Sequence, residues 1–139
     1  MKIKVCGMTD PNQLIVLGQS PVDFVGLIFY PSSSRYVLNT TLSPAQFRSQ
    51  MGSVKLVGVF VDADEKVLVE TVRKWQLDLV QLHGNESPAY CQRIRKQVKT
   101  IKAIRIGDQT NLASLVEQFA DSVDYFLFDT LGKIGRAHV

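Results

Sequence analysis

Six short runs, nearly continuous in apolar residues, recur along the chain: KIKVC, FVGLIF, KLVGVFV, LDLVQL, TIKAIRI and DYFLF. Runs of that length without polar interruption read as strands buried on both faces, the habit of parallel sheets. Between them the polar positions fall into helical spacing. DEKVLVETVRKW puts Val67, Leu68, Thr71, Val72 and Trp75 on one stripe, and NLASLVEQFADS does the same with Leu112, Leu115, Val116 and Phe119. Asp10-Pro11, Ser43-Pro44 and Ser87-Pro88 each place a capping oxygen before a proline at the first helical position, where its missing N–H costs nothing. Strand and helix alternate without a linker, so the pattern predicts one α/β domain with a parallel sheet and right-handed crossovers. Two architectures fit: an open doubly wound sheet and a closed eight-stranded barrel. The first strand–helix turn, CGMTDP, lacks the G-x-G-x-x-G spacing of a dinucleotide fold, which weakens the first without deciding between them.

Composition narrows the class. With 139 residues the chain suits a single domain with one substantial core. No stretch approaches the roughly 18 apolar residues of a membrane span, and MKIKVCGMTD lacks the apolar core of a signal peptide, so a cytoplasmic location is expected. Cys6 and Cys91 lie far apart and form neither a disulfide framework nor a metal pattern; free thiols are expected, with Cys91 in the core. The net charge is +3, and Arg93, Arg95, Lys96 and Lys99 cluster in one segment. Without interleaved aromatics these read as a solvated helix face, not a nucleic-acid platform.

In a parallel sheet all C-terminal strand ends share one edge, where ligand sites collect. Cys6, Tyr30, Arg35, His83 and Asp129 close or follow their strands and are expected at that mouth. Each has a plain structural alternative. Cys6 is either a small buried hydrophobe or a thiolate stabilised by the N–H groups of the GMTD turn and by Lys4, two residues back on the same face. Asp129 is either a helix N-cap or a general acid, a role suited to a carboxyl at the end of an apolar strand. Arg35, in YPSSSRY, binds a carboxylate or is a solvated loop residue, and His83, in QLHGNE, caps its loop or faces a substrate.

Five motifs in order, KVCGMTD, VGLIFYPSSSRYV, LVGVFVD, VQLHG and FLFDT, resemble the phosphoribosylanthranilate isomerase family of tryptophan biosynthesis, and the resemblance runs nearly to Thr130. It implies a (βα)8 barrel, here an incomplete TIM barrel of about six strands. The implied reaction is an Amadori rearrangement of N-(5-phosphoribosyl)anthranilate to 1-(2-carboxyphenylamino)-1-deoxyribulose 5-phosphate, without cofactor or metal. By the same resemblance Cys6 is the general base, Asp129 the general acid, Arg35 the partner of the anthranilate carboxylate, and His83 a further substrate-binding residue. A small-molecule substrate, no nucleic acid, no membrane, and fusion to or association with indole-glycerol-phosphate synthase complete the expectation.

The chain departs from that pattern at its end. A (βα)8 barrel takes about 250 residues, and LGKIGRAHV does not match the glycine-rich phosphate loop that follows FDT in the family. Residues 1–130 are therefore expected to be the first six strands of a truncated barrel, and 131–139 a non-native tail. IGRAHV, residues 134–139, is what ATC GGA AGA GCA CAC GTC encodes, a common sequencing-library adapter, so this part is expected to be read-through. Both sheet edges are then expected to stay unpaired. Two other readings compete: another phosphosugar barrel such as a ribulose-phosphate epimerase, which needs metal-ligand histidines where only His83 sits suitably, and a non-catalytic flavodoxin-like module.

Overall fold

The structure, a computed structural model, describes residues 1–107 and 110–130 and the backbone of 137–138. The strands are β1 (Lys4–Cys6), β2 (Phe24–Ile28), β3 (Lys55–Phe60), β4 (Leu79–Leu82), β5 (Lys99–Ile106) and β6 (Tyr125–Thr130). Among the described residues five α-helices separate them: α1 (Pro11–Gly18), α2 (Pro44–Met51), α3 (Glu65–Trp75), α4 (Pro88–Arg95) and α5 (Leu112–Phe119), with a short 3-10 turn at Val37–Asn39 before α2. The expected caps form: Asp10 and Ser87 accept from Asn12 and Tyr90 N–H groups, and Ser43 makes a reciprocal capping box with Gln46.

Strand order decides between the two architectures. The six strands pair in sequence order, all parallel, with no point where the order reverses. A doubly wound or flavodoxin-like sheet needs such a reversal. Sequential winding puts every helix on one face and curls the other inward. Lys4 on β1 hydrogen-bonds Gln81 on β4, although three strand spacings span about 14 Å in a flat sheet. The six strands thus form a curled, partial barrel.

The convex face carries the core. Val25, Leu27, Leu56, Phe60, Val80 and Leu82 point out to the helices and are buried. Trp75 of α3 is the pivot: Phe29 and Phe47 meet its ring edge-on, each at 5.4 Å, and Phe29 stacks on Phe60 at 5.2 Å. The predicted α3 stripe needs one correction. Leu68, Val72 and Trp75 face the sheet, but Val67 is 55% exposed. At about 100° per residue, Val67 lies a quarter-turn off Leu68, and Val69 on the other flank joins the core instead.

Register is held by a device that repeats three times. Asp23, Asp78 and Asp124 each stand one residue before an even-numbered strand. Their carboxylates accept from Ile3, Leu56 and Thr100 N–H groups at 2.7, 2.8 and 2.9 Å, on the preceding odd-numbered strand or beside its start. Their own N–H groups donate back to the carbonyls of the same three residues. A cation backs each aspartate: Lys2, Arg48 and Arg95.

At the far edge the expectation of an unpaired β6 is not met. Ala137–His138 forms a two-residue strand, β7, antiparallel to Asp129 and Phe128. An open edge of N–H and C=O groups pairs with whatever backbone reaches it. The proposed boundary at Thr130 and the read-through in 134–139 otherwise fall outside the described residues.

Asp78→Ala should lower unfolding free energy by about 2 kcal/mol, since it strands the N–H of the fully buried Leu56 and frees Arg48. Urea denaturation checks this; an unchanged midpoint would show that the clamp carries no stability.

Candidate active site

Alternation along the paired strands sends Lys4, Cys6, Gly26, Gln81, Arg105 and Asp129 to the concave face. The chemistry gathers at its C-terminal rim, as expected. Cys6 ends β1 opposite Gly26 of β2, and a side chain on Gly26 would lie 2.6 Å from the Cys6 sulfur. The bare glycine is what lets the thiol lie over β2. The next residue, Gly7, turns the chain at φ +80°, and Arg35 packs against it, its guanidinium donating to the Cys6 carbonyl at 3.4 Å. Arg35 is exposed and leans over the Cys6 turn. The N–H of Gly7 is not available to a thiolate, because it donates to the Gly26 carbonyl. Lys4 is likewise engaged, with Gln81. Burial lowers the Lys4 ammonium below its ordinary value, and the charge of Cys6 opposes that.

Asp129 is the penultimate residue of β6 and lies within the strand, not at a helix N-cap. Its Oδ2 meets His83 Nε2 at 3.2 Å, while His83 Nδ1 faces the Gln81 amide nitrogen at 3.0 Å. Burial pushes His83 below the usual histidine value; Asp129 pulls against that, and Arg105 and Lys102 add to it. Arg105 is the in-register neighbour of Asp129 on β5. Tyr30, 38% exposed, lines a cavity of about 650 Å³ at this rim with His83, Arg105 and Lys102.

Beneath His83 lies a buried ion pair that reading the sequence missed. Glu86 and Lys102 meet at 2.8 Å with side chains 2% and 5% exposed. Glu86 also accepts from the N–H groups of Asp62 and Gly84, and Asp62 accepts from Asn85. Lys102 donates to the carbonyls of Leu82 and Gly84, the two neighbours of His83. Both charges are thus fully partnered, as burial requires. The visible signal was a lysine inside the apolar run TIKAIRI. Cys91 is fully buried, and its thiol is pushed up to about 11 by burial. Of the basic cluster, Arg93 and Arg95 pair with Glu65 and Asp124. Among the described residues no helix is long and apolar enough to cross a membrane.

The sequence model of N-(5'phosphoribosyl)anthranilate (PRA) isomerase matches residues 3–137. The chain belongs to that family. It is 37% identical over 131 residues to the N-(5'-phosphoribosyl)anthranilate isomerase of Parabacteroides distasonis, a match covering 94% of this chain and 59% of the relative. It is 36% identical over 132 residues to the isomerase of Microcystis aeruginosa, covering 93% and 61%. The crystal structure of phosphoribosyl anthranilate isomerase from Thermotoga maritima superposes with a TM-score of 0.79 at 28% identity, over 96% of this chain and 63% of that one. A further isomerase structure, in complex with reduced 1-(o-carboxyphenylamino)-1-deoxyribulose 5-phosphate, superposes at 0.70 with 27% identity, over 94% and 75%. The chain thus spans about three fifths of the length of the relatives it matches. Isomerase-family membership and sequential strand order fit the TIM-barrel reading and favour neither the epimerase nor the flavodoxin-like module.

Two outcomes follow for the site. Iodoacetamide should alkylate Cys6 and spare Cys91 in the native chain, with both labelled in urea; peptide mass mapping that finds Cys91 modified natively would contradict its burial. Because folded His83 holds its proton less tightly than the unfolded chain does, the unfolded state gains a proton first as pH falls below about 6.5, and stability falls with it. Above that pH His83 is neutral in both states and contributes no slope. Denaturation at pH 7.5 and 5.5 should show a larger loss for wild type than for His83→Gln; equal losses would remove His83 as the cause.

Proposed function

We propose that this chain supplies the catalytic half of a phosphoribosylanthranilate isomerase in tryptophan biosynthesis, with Cys6 as base and Asp129 as acid. The supporting observation is that the curl brings Cys6, Arg35, His83 and Asp129 to one rim, in a chain of that family. In this reading Asp129 gives a proton to the furanose ring oxygen as the C1–O bond breaks, and the anthranilate nitrogen lone pair forms the iminium. The Cys6 thiolate then removes the C2 proton, and those electrons form the C1–C2 double bond of an enol-amine. Protonation at C1 and loss of the enol proton yield the ketose, so aldose becomes ketose with no net oxidation. Arg35, beside Cys6, is the group for the anthranilate carboxylate, with the fork that suits bidentate binding. His83 acts through Asp129.

We place residues 1–130 as the first six strands of an eight-unit barrel whose last two units carry the phosphate site, where (βα)8 barrels commonly bind that group. The remaining parts of the reading are a cytoplasmic setting and fusion to, or association with, indole-glycerol-phosphate synthase.

Joined to the two remaining units, Cys6→Ser and Asp129→Asn should each lower kcat by roughly 10²–10⁴-fold, the usual contribution of a positioned acid or base. Loss of the substrate's anthranilate fluorescence gives the rate; turnover within a few-fold of wild type would reassign that role. The 139-residue chain alone should show no turnover.

A further inference from the structure

The hydrogen bonds that cross the concave face form one chain, Lys4–Gln81–His83–Asp129, and its polarity is set at the lysine end. An ammonium has only protons to give, so Gln81 must turn its carbonyl oxygen toward Lys4 Nζ. The amide nitrogen is then the group left for His83, 3.0 Å from Nδ1. An NH₂ group also only donates, so Nδ1 must be bare and the ring proton must sit on Nε2. Nε2 lies 3.2 Å from Asp129 Oδ2. We propose that Lys4 and Gln81 are positioning residues that hold His83 as the neutral Nε2–H tautomer, which donates to Oδ2 of Asp129 and leaves Oδ1 as the oxygen that exchanges a proton with substrate. Only the final clause rests on the reading of Asp129 as the acid.

Three features support the lock. An imidazolium would direct Nδ1–H into the Gln81 amide protons, two donors with no acceptor between them. The charges facing His83 are Asp129 from β6 and Arg105 and Lys102 from β5, with Lys4 behind Gln81 from β1. Lys102 is balanced by Glu86, which leaves Asp129 as the acceptor and Arg105 as the cation that opposes protonation of the ring. Lys102 ties down the carbonyls on both sides of His83 and so fixes the backbone from which the ring reaches out, while the contacts to Gln81 and Asp129 hold the ring itself. With Oδ2 occupied by a fixed donor before and after proton transfer, the transferable proton has one place to reside. That removes the alternative in which it is shared with the imidazole.

Long-range ¹H–¹⁵N correlation spectra of the ¹⁵N-labelled 139-residue chain read the tautomer directly, and His138→Gln assigns the signals by removing the other histidine's. At pH 7 His83 should show a bare Nδ1 and a protonated Nε2. Gln81→Glu puts an acceptor on Nδ1, and should make the ring doubly protonated at pH 7 with its titration midpoint raised by at least one pH unit. Lys4→Met frees the amide to flip, and should yield a mixture of tautomers. An Nδ1–H tautomer in wild type would overturn the proposal, and so would a Gln81→Glu chain whose tautomer and midpoint match wild type. Neither measurement needs turnover, so an Asp129→Asn enzyme that retained activity would refute the acid assignment while leaving the tautomer result standing.

Discussion

Each even-numbered strand is entered through an aspartate that reaches back to the beginning of the strand before it. A parallel pair that slipped by one residue would turn every side chain to the opposite face. In this fold such a slip would send Cys6 and Asp129 among the helices and bring Leu27 or Val80 into the concave face. The clamps at Asp23, Asp78 and Asp124 act where slippage would begin, each holding one N–H and one carbonyl of the neighbouring strand's first residues. Everything at the C-terminal rim inherits its placement from these N-terminal anchors. The repeat falls on pairs β1/β2, β3/β4 and β5/β6, so the unit of construction is two strands and the helices that link them.

The rim carries a second kind of constraint. A lysine and a glutamate buried to this degree give little net stability, because the desolvation of both charges offsets most of their attraction. What the Glu86–Lys102 pair does supply is direction. Its five outward hydrogen bonds reach the β3–α3 loop, the β4–α4 loop and the carbonyls flanking His83. A loop that must offer an imidazole to a carboxylate on another strand is thereby fixed at several backbone points. Breaking either partner would leave an uncompensated buried charge, so the arrangement tolerates little change.

Much of this was legible in the chain. All six parallel strands appear as apolar runs, and the three proline-marked caps form where Asp10, Ser43 and Ser87 predict them. The strand-end positions of Cys6, Arg35, His83 and Asp129 follow from any parallel sheet. Strand order was not legible in the apolar runs themselves, which carry no information on which neighbours pair; the five-motif family resemblance supplied the barrel, and the sequential order agrees with it. Gln81, Glu86, Lys102 and Arg105 were missed for a related reason: inside or beside apolar runs they look like interruptions until pairing reveals what each faces. The clamp was visible in retrospect as a small repeat, since VDFVGL, LDLVQL and VDYFLF all place an aspartate between an aliphatic residue and the strand. Val67 shows the reverse failure, where five apolar or small positions described a stripe wider than the sheet could cover.

Curvature is the remaining link between fold and chemistry. Cys6 and Asp129 stand on the first and last of the parallel strands, so their relation depends on how far the sheet bends between them. The bend is not left to packing of the helices alone. Lys4 joins β1 to β4 through Gln81, and His83 joins β4 to β6 through Asp129, so one string of side chains spans the concave face from rim to rim. The same four residues that set the protonation pattern of the site therefore set the distance between its two walls. A change that loosens Gln81 acts on both at once, which ties the chemistry of Asp129 to the shape of the sheet that carries it.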